Sequence, residues 1–353
     1  MRPRTTHRAA ERGQAMECFV LRRGSRTRWN AFAEQALAGE PLSSEQALRV
    51  LAAPDEELVD LLAAAFRVRR HYFATGVRLN FLVNAKSGHC GEDCGYCSQS
   101  RISTAEIPQH QLLAKEELVK AAERALELKA STCCIVTSGL KPSARELHGV
   151  AEAAEEIKEH HPELKLCACL GKISSEQARA LKESGIDRYN HNLNTAESHY
   201  PDVCSTHSHA DRAQTVETVA RAGLSPCSGL IVGLGETHEQ LVEACFALRD
   251  TGADSIPVNF LLPIEGTPLG DHDPGLDPRY CLKTLCMFRL ACPEREIRLA
   301  AGREVHLGSL QPLALYPANS IFVADYLTEP GQAPEDDFRM IEELGFEIEP
   351  VGA

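Results

Sequence analysis

The sequence predicts an α/β fold, a (β/α)8 TIM-type barrel with an N-terminal helical extension. Short apolar or β-branched runs alternate with longer amphipathic stretches, and such alternation is typical of a parallel sheet covered by helices. The 353 residues also suit one barrel of this type with a modest extension. Glycine follows several helical stretches, at Gly185, Gly223 and Gly252, where a helix end favours a left-handed residue.

The chain divides into three predicted parts. Residues 1–28 form an Arg-rich tail with few acidic residues, typical of a disordered basic tail or of a start codon placed upstream, with Met16 as a candidate start. An organellar transit peptide has a similar composition. Residues 29–75 are predicted to be helical, with Ser44 as an N-cap and leucines at helical spacing. The barrel then takes up residues 76–353, including a C-terminal segment.

The barrel elements follow in chain order. The predicted strands are Arg78–Val83, Thr132–Thr137, Leu164–Cys169, Arg188–His191, Pro226–Val232, Ser255–Leu261, Glu296–Ala300 and Ser320–Val323. The predicted helices between them include Lys115–Leu128, Ala144–His160, Ser175–Ser184, His209–Ala222 and Thr237–Asp250. In such barrels the active site lies at the C-terminal ends of the strands.

Composition restricts the class of protein. A net charge of −13 argues against a nucleic-acid partner. The sequence contains no apolar run long enough to span a membrane. It contains 14 cysteines but no hydrophobic signal segment, so we expect a cytoplasmic protein with reduced thiols. Such cysteines are either small core residues or metal ligands.

Three cysteines form a motif just after the first predicted strand. Cys90, Cys94 and Cys97 have the spacing C-x3-C-x2-C on a glycine-punctuated loop. Three thiolates can hold three irons of a [4Fe–4S] cluster and leave the fourth iron open for a ligand. The alternative is a zinc site completed by His89 or by a distant cysteine. Tyr96 lies within the loop, where it either packs or covers a bound adenine.

Other cysteines fall on predicted strands. Cys134, Cys167 and Cys227 belong to the second, third and fifth predicted strands, so each side chain could point into the barrel. Cys169 shares a face with Cys167, whereas Cys133 must point away from the face of Cys134. Spacing alone does not distinguish cluster ligands from buried core residues here.

Resemblance to a known family narrows this choice. The C-x3-C-x2-C spacing is the hallmark of the radical S-adenosylmethionine (SAM) superfamily, and the chain resembles its biotin synthases over nearly its whole length, from about Trp29 to Glu349. The segments that carry the resemblance are 84–99, Tyr189-Asn-His-Asn-Leu193, Cys227-Ser-Gly, Ile231-Val-Gly-Leu-Gly-Glu236, Pro257-Val-Asn259, Gly266-Thr-Pro-Leu269, Arg298-Leu-Ala-Ala-Gly-Arg-Glu304 and Ala318-Asn-Ser-Ile-Phe322.

The resemblance implies an activity and two clusters. The activity is SAM-dependent insertion of sulfur into dethiobiotin between C6 and C9, with an auxiliary [2Fe–2S] cluster as the sulfur donor. The implied [4Fe–4S] ligands are Cys90, Cys94 and Cys97, and the implied [2Fe–2S] ligands are Cys134, Cys167, Cys227 and Arg298. From the residues alone, Arg298 would instead form a salt bridge or hydrogen bond across the barrel mouth, because arginine is ordinarily a donor-only cation.

The resemblance also implies binding residues and partners. The implied SAM contacts are Tyr96, Asn192, Asn194, Arg212 and Ile231, and the implied substrate contacts are Asn190, Asn192 and Asn259. The simpler alternatives are that these asparagines cap loops and that Arg212 forms a surface ion pair with Asp211. An electron donor such as flavodoxin or ferredoxin and a homodimer are implied as well.

Three features depart from the family pattern. Asn194 stands where many members have aspartate, and Gly91 replaces a frequent proline. Cys133 and Cys169 are additional thiols near the auxiliary site, so the type of the second cluster stays open. The rival interpretations are another radical enzyme on the same barrel and a non-catalytic iron–sulfur or zinc sensor.

Overall fold

The computed structural model describes residues 28–88 and 90–352. Of the predicted basic tail, residues 1–27 lie outside the described residues. Arg28 is described and belongs to the first helix, α1 (residues 28–37). Its guanidinium pairs with the carboxylate of Glu57, so the folded chain includes Arg28, one residue before the boundary that the sequence predicts.

Two further helices complete the N-terminal extension, α2 (Ser44–Leu51) and α3 (Leu58–Phe73). The N-cap of α2 is Ser43, so the prediction of Ser44 is wrong by one residue. The reason is a capping box, in which Gln46 N donates to Ser43 Oγ at 3.2 Å and Ser43 N donates to Gln46 Oε1 at 2.8 Å. Of the two serines, Ser43 has a glutamine three residues later, whereas Ser44 has Ala47 at that distance.

The parallel sheet closes on itself, as the sequence predicts. Its strands are β1 (Gly76–Lys86), β2 (Thr132–Thr137), β3 (Lys165–Cys169), β4 (Arg188–Asn190), β5 (Ser225–Cys227), β6 (Leu230–Val232), β7 (Ser255–Phe260), β8 (Glu296–Leu299) and β9 (Ser320–Phe322). The strands pair in the order β1-β2-β3-β4-β5-β7-β8-β9, and β9 pairs with β1. Both β5 and β6 pair with β7, so they share one of eight barrel positions.

Helices surround the barrel. They are α4 (Lys115–Glu127), α5 (Ala144–His160), α6 (Ser175–Glu183), α7 (Tyr200–Val203), α8 (His209–Arg221), α9 (His238–Asp250), α10 (Pro278–Ala291), α11 (Arg303–Leu307) and α12 (Pro334–Glu343). The five helices predicted from the sequence agree with α4, α5, α6, α8 and α9 to within one residue at either end. Gly185, Gly223 and Gly252 all have positive φ, which confirms their predicted role at helix ends.

The fifth barrel position is split, whereas the sequence predicts one strand over Pro226–Val232. An added Cβ at Gly229 would lie 2.1 Å from the carbonyl oxygen of Pro257. Because only glycine permits this approach, the chain can leave the β5 line and rejoin the barrel as β6. The Gly229 amide donates instead to Asn192 Oδ1 at 3.0 Å.

Two layers of side chains follow from the closed sheet. Residues facing outward, Cys133 among them, join one continuous hydrophobic core with the helices. Residues facing inward are more polar and surround the barrel axis. A short last strand, β10 (Glu347–Ile348), pairs with the beginning of β1 and ties the C-terminal segment to the barrel. Over the described residues, none of the helices has both the length and the apolarity needed to cross a membrane.

Candidate active site

A cavity of about 380 Å³ lies where the barrel strands end and the following loops begin. It is lined by residues predicted from the sequence, namely Cys90, Cys94, Tyr96, Cys97, Cys134, Asn190, Asn192, Asn194, Arg212, Ile231, Asn259 and Arg298. The remaining two, Cys167 and Cys227, are fully buried on neighbouring strands. The fold therefore brings all of the predicted site residues to one place, and Cys169 lines the cavity as well.

The first cysteine loop follows β1 directly and is held by its backbone. Gly95 N donates to Val203 O at 2.9 Å, and Arg101 N donates to Glu92 O at 2.8 Å. Burial raises the pKa of Cys94 and of Cys97. Free thiols are thus favoured here in the absence of metal, and ligation must displace their protons.

Cys204 is a neighbour of this loop that the sequence analysis missed. Its Sγ lies 3.7 Å from Cys94 Sγ and 3.3 Å from His207 Nδ1. Cys94, Cys204 and His207 are the one set of potential metal donors within mutual reach in the described part of the chain. The only signal in the sequence is the spacing of Cys204 and His207, because Cys204 lies on no predicted strand.

His207 is already committed to other partners. Its Nδ1 lies 2.5 Å from Glu92 Oε2, and its Nε2 accepts a hydrogen bond from Arg212 Nε at 3.0 Å. These partners place the proton on Nδ1, which donates to the carboxylate. Burial, followed by the charge of Arg212, lowers the pKa of His207. Both ring nitrogens of His207 therefore have partners in this structure, and His89, the histidine of the zinc alternative, lies outside the described residues.

Arg212 is a half-buried cation that lines the cavity. Its Nε donates to Tyr200 Oη at 2.5 Å, and its Nη1 donates to Asn192 O at 3.0 Å. Asp211, its sequence neighbour, pairs with Lys172 instead. The alternative of a surface ion pair between Arg212 and Asp211 is therefore wrong.

The second set of thiols comes from three strands. Cys134 on β2 and Cys167 on β3 are register partners, and Cys227 on β5 is paired with Asn190 on β4. A hydrogen bond from Cys167 and then the positive charge of Arg298 lower the pKa of Cys134, while that of Cys167 is raised. The positive charge of Arg298 thus favours a thiolate in this pair, which suits a metal ligand.

Arg298 faces these thiols from β8. Its Nη1 lies 4.0 Å from Cys227 Sγ, and its remaining nitrogens contact buried polar groups that include Glu296. Arg188 on β4 also contacts Glu296, at 3.1 Å. The sequence analysis missed Arg188 and Glu296. Alternation along β8 places Glu296 on the same face as Arg298, and that is the signal that could have identified it.

The four asparagine side chains differ in how far the protein satisfies them. Asn259 donates to Leu230 O at 3.0 Å and accepts from Ala301 N at 3.2 Å, so it bridges two barrel positions. Asn190 donates to Asn192 Oδ1 at 2.9 Å.

By contrast, Asn194 Nδ2 and His191 Nε2 are buried without a hydrogen-bond partner among the described residues. Both residues line the cavity. An unsatisfied buried polar group costs about 1–3 kcal/mol, so these two atoms fit a polar ligand in the cavity.

A C-terminal segment covers part of the cavity. Tyr326, Leu327, Thr328 and Glu329 line it. Leu327 O accepts from Asn84 Nδ2 at 2.8 Å, and the hydroxyls of Ser98 and Thr328 lie 3.0 Å apart. The segment is thereby attached to β1 and to the first cysteine loop.

Two parts of the chain match known protein families. Residues 86–248 match the Radical SAM superfamily, and residues 257–347 match the Biotin and Thiamin Synthesis associated domain. A biotin synthase of Geobacillus kaustophilus is 54% identical over 321 residues, covering 91% of this chain and 96% of that protein. One from Lysinibacillus sphaericus is 52% identical over 322 residues, with 91% and 96% coverage.

Solved structures support the fold. A methylornithine synthase matches with a TM-score of 0.79 at 20% identity, over 90% of this chain and 97% of that one. An FeFe-hydrogenase maturase from Carboxydothermus hydrogenoformans matches with a TM-score of 0.76 at 18% identity, over 94% and 82%. At these identities the match concerns the barrel architecture alone.

Proposed function

The chain belongs to the biotin synthase family of the radical SAM superfamily, and from this premise we propose that it inserts sulfur between C6 and C9 of dethiobiotin to form biotin. One observation carries the assignment of its site. Two separate sets of thiols lie at a single cavity of about 380 Å³: the loop cysteines and Cys134 line it, and Cys167 and Cys227 are buried beside it. A metal sensor needs only one such set.

The proposed ligands follow from this arrangement. Cys90, Cys94 and Cys97 would hold the [4Fe–4S] cluster that the superfamily requires, and Cys134, Cys167, Cys227 and Arg298 would hold an auxiliary [2Fe–2S] cluster. When bound, the first cluster supplies the electron that cleaves SAM and the second supplies the sulfur atom. The protein's own part is orientation and exclusion of solvent.

Different residues of the cavity are proposed to bind different parts of SAM and dethiobiotin. Arg212 carries a positive charge at the cavity wall that suits the carboxylate of SAM, and Tyr96 and Ile231 offer apolar surface for the adenine. Asn194 offers an unsatisfied amide for the ribose. Asn190, Asn192 and Asn259 are the proposed contacts to the ureido ring of dethiobiotin, since amides fix position without adding charge. A homodimer and an electron donor such as flavodoxin or ferredoxin are proposed from the family resemblance.

An anaerobic assay tests the proposal. Cluster-reconstituted protein is incubated with SAM, a reductant and dethiobiotin, and the products are measured by mass spectrometry. We expect both biotin and 5′-deoxyadenosine. Deoxyadenosine without biotin would retain the radical superfamily but reject this substrate, and neither product with both clusters confirmed would reject the radical function.

A variant pair sharpens the assay. Cys90→Ala should abolish deoxyadenosine formation, because the cluster would lose one of three ligands. Cys286→Ala is the matched control, since Cys286 is a buried thiol on α10 in the outer core. Its products should equal those of the unsubstituted chain. If Cys90→Ala still forms deoxyadenosine, the assignment of the first cluster fails.

A further inference from the structure

Glu296 is a buried carboxylate at the centre of the auxiliary site. It lies on β8 with 3% of its surface exposed, two residues before Arg298 and on the same face of the strand. Its Oε1 accepts hydrogen bonds from Arg298 Nη2 at 2.5 Å, from Ser320 Oγ at 2.9 Å and from Ser255 Oγ at 3.1 Å. Such a complete set of partners fixes the carboxylate in one position.

This carboxylate in turn fixes the orientation of Arg298. Arg298 Nε lies 3.2 Å from Glu296 Oε1, and Nη2 also donates to Ser255 Oγ at 3.0 Å. Two of the three guanidinium nitrogens are thus occupied by β7 and β8. Nη1 is left, and it is the nitrogen that points to Cys227 Sγ at 4.0 Å. Rotation of the planar group would break several charge-assisted hydrogen bonds at once.

Glu296 also holds the other charges near the thiols. Its Oε2 lies 3.1 Å from Arg188 Nη1 and 3.5 Å from Arg78 Nη1. Arg78 has a second carboxylate partner in Glu349, at 2.6 Å, but Arg188 and Arg298 share Glu296. The immediate site therefore carries an excess of positive charge beside three thiols, and a bound anionic cluster would neutralise it.

We propose that Glu296 is a positioning residue for the auxiliary cluster, which directs Arg298 Nη1 to the cluster and keeps Arg188 beside it. The inference rests on the proposed function, because it takes Arg298 as a cluster ligand. Groups that orient a metal ligand commonly change metal affinity by about 10- to 100-fold when removed. Among the described residues, the hydrogen bonds and ion pairs of Glu296 are all with residues outside the first cysteine loop, so cleavage of SAM should not depend on it.

Two substitutions of Glu296 separate the effect of its negative charge from its effect on the orientation of Arg298. Glu296→Gln keeps an oxygen acceptor for Arg298 and removes the negative charge, so the auxiliary cluster should remain but its midpoint potential should become more positive. Glu296→Ala removes the acceptor, so auxiliary iron should be lost to a chelator at least about 10-fold faster. The measurements are absorption and electron paramagnetic resonance spectra, redox titration and iron release, all under anaerobic conditions.

Asp337→Asn provides the matched control. Asp337 is also fully buried and paired with an arginine, Arg303, at 2.9 Å, but it lies on α12 away from the three thiols. Its auxiliary cluster should keep the potential and the iron release rate of the unsubstituted chain. If Asp337→Asn changes both as much as Glu296→Ala does, the effect is general destabilisation and the proposal is overturned.

The remaining outcomes separate the inference from the proposed function. Unchanged spectra, potential and iron release in both Glu296 variants, with altered spectra in Arg298→Ala, would overturn the positioning role alone. Unchanged spectra in Arg298→Ala would instead reject Arg298 as a ligand and with it the assignment on which the inference rests. Formation of 5′-deoxyadenosine should continue in Glu296→Gln, and its loss would show that the residue acts beyond the auxiliary site.

Discussion

Asn194 meets two requirements at a single position. Its backbone has φ of 72°, a left-handed conformation that asparagine tolerates better than most residues. Its backbone also links two elements, since Asn194 N donates to Gly229 O at 3.0 Å and Ile231 N donates to Asn194 O at 2.8 Å. The side chain meanwhile offers an unsatisfied donor to the cavity. Backbone and ligand roles can therefore be separated by substitution.

Asn194→Ala and Asn194→Gly should differ in stability but not in binding. Alanine disfavours the left-handed backbone by about 1–2 kcal/mol relative to glycine, so only Asn194→Ala should unfold at a clearly lower temperature. Both lose the amide and should bind SAM several-fold more weakly. Thermal unfolding and equilibrium dialysis measure the two effects. Normal SAM binding by Asn194→Gly would show that the amide does not contact the cofactor.

The predictability of the site residues depends on how local their signal is. The spacing of Cys90, Cys94 and Cys97 predicts a cluster loop because all three ligands share one short segment. Cys134 and Cys167 become neighbours only through the register of β2 and β3, so their joint role depended on the resemblance. Arg188 and Glu296 were missed because only the closed barrel brings Arg188 on β4 to the carboxylate of Glu296 on β8.

Among the elements, the fifth barrel position is the one whose interruption the local sequence pattern does not predict. The boundaries of the other strands agree with the predictions to within a few residues, because β-branched runs and flanking glycines are local signals. The run Pro226–Val232 has the same signal along its whole length. Its interruption at Gly229 depends on the carbonyl of Pro257, which is distant in sequence.

Gly229→Ala should therefore disrupt more than one strand. The added Cβ would lie 2.1 Å from Pro257 O, so β5 or β7 must move, and both carry residues of the auxiliary site. We expect a large drop in unfolding temperature and loss of the auxiliary cluster. Gly223→Ala is the control, because Gly223 has open space around its Cβ position and only its positive φ disfavours alanine. Gly223→Ala should lower the free energy of unfolding by only about 1–2 kcal/mol and keep the cluster. Equal effects of the two would reject this account.

Over the whole molecule, a buried neutral histidine makes stability depend on pH. Burial, followed by the charge of Arg212, holds the pKa of His191 well below its ordinary value. Above pH 6.5 both folded and unfolded His191 are neutral. As the pH falls below about 6.5 the unfolded state alone binds a proton, so stability is lost by up to about 1.4 kcal/mol per pH unit.

Urea unfolding of the cluster-loaded protein at pH 7.5 and 5.5 should show this loss. His191→Asn should reduce the pH dependence, because asparagine does not titrate in this range. His148→Asn should leave it unchanged, since the side chain of His148 is 74% exposed on α5. A pH dependence that is the same in all three proteins would assign the loss to other groups.

The two proposed clusters should contribute unequally to the stability of the barrel. The first cluster would join residues of one loop, whereas the auxiliary cluster would join β2, β3, β5 and β8, four of the eight barrel positions. A group that binds only the folded state stabilises it, and one that connects distant strands restricts unfolding most. It would also neutralise Arg188 and Arg298 in the barrel interior.

Loss of the auxiliary cluster should accordingly destabilise the folded protein more than loss of the first cluster. We expect Cys134→Ala to unfold at least about 3 °C below Cys90→Ala in anaerobic calorimetry. Cys133→Ala is the control, because Cys133 is the adjacent buried thiol but packs in the outer core. Cys133→Ala removes the same atoms without removing a proposed ligand. Its unfolding temperature should therefore fall only by the effect of a small cavity. If Cys133→Ala lowers the unfolding temperature as far as Cys134→Ala does, packing and not the cluster accounts for the loss, and the barrel does not depend on the auxiliary site for its stability.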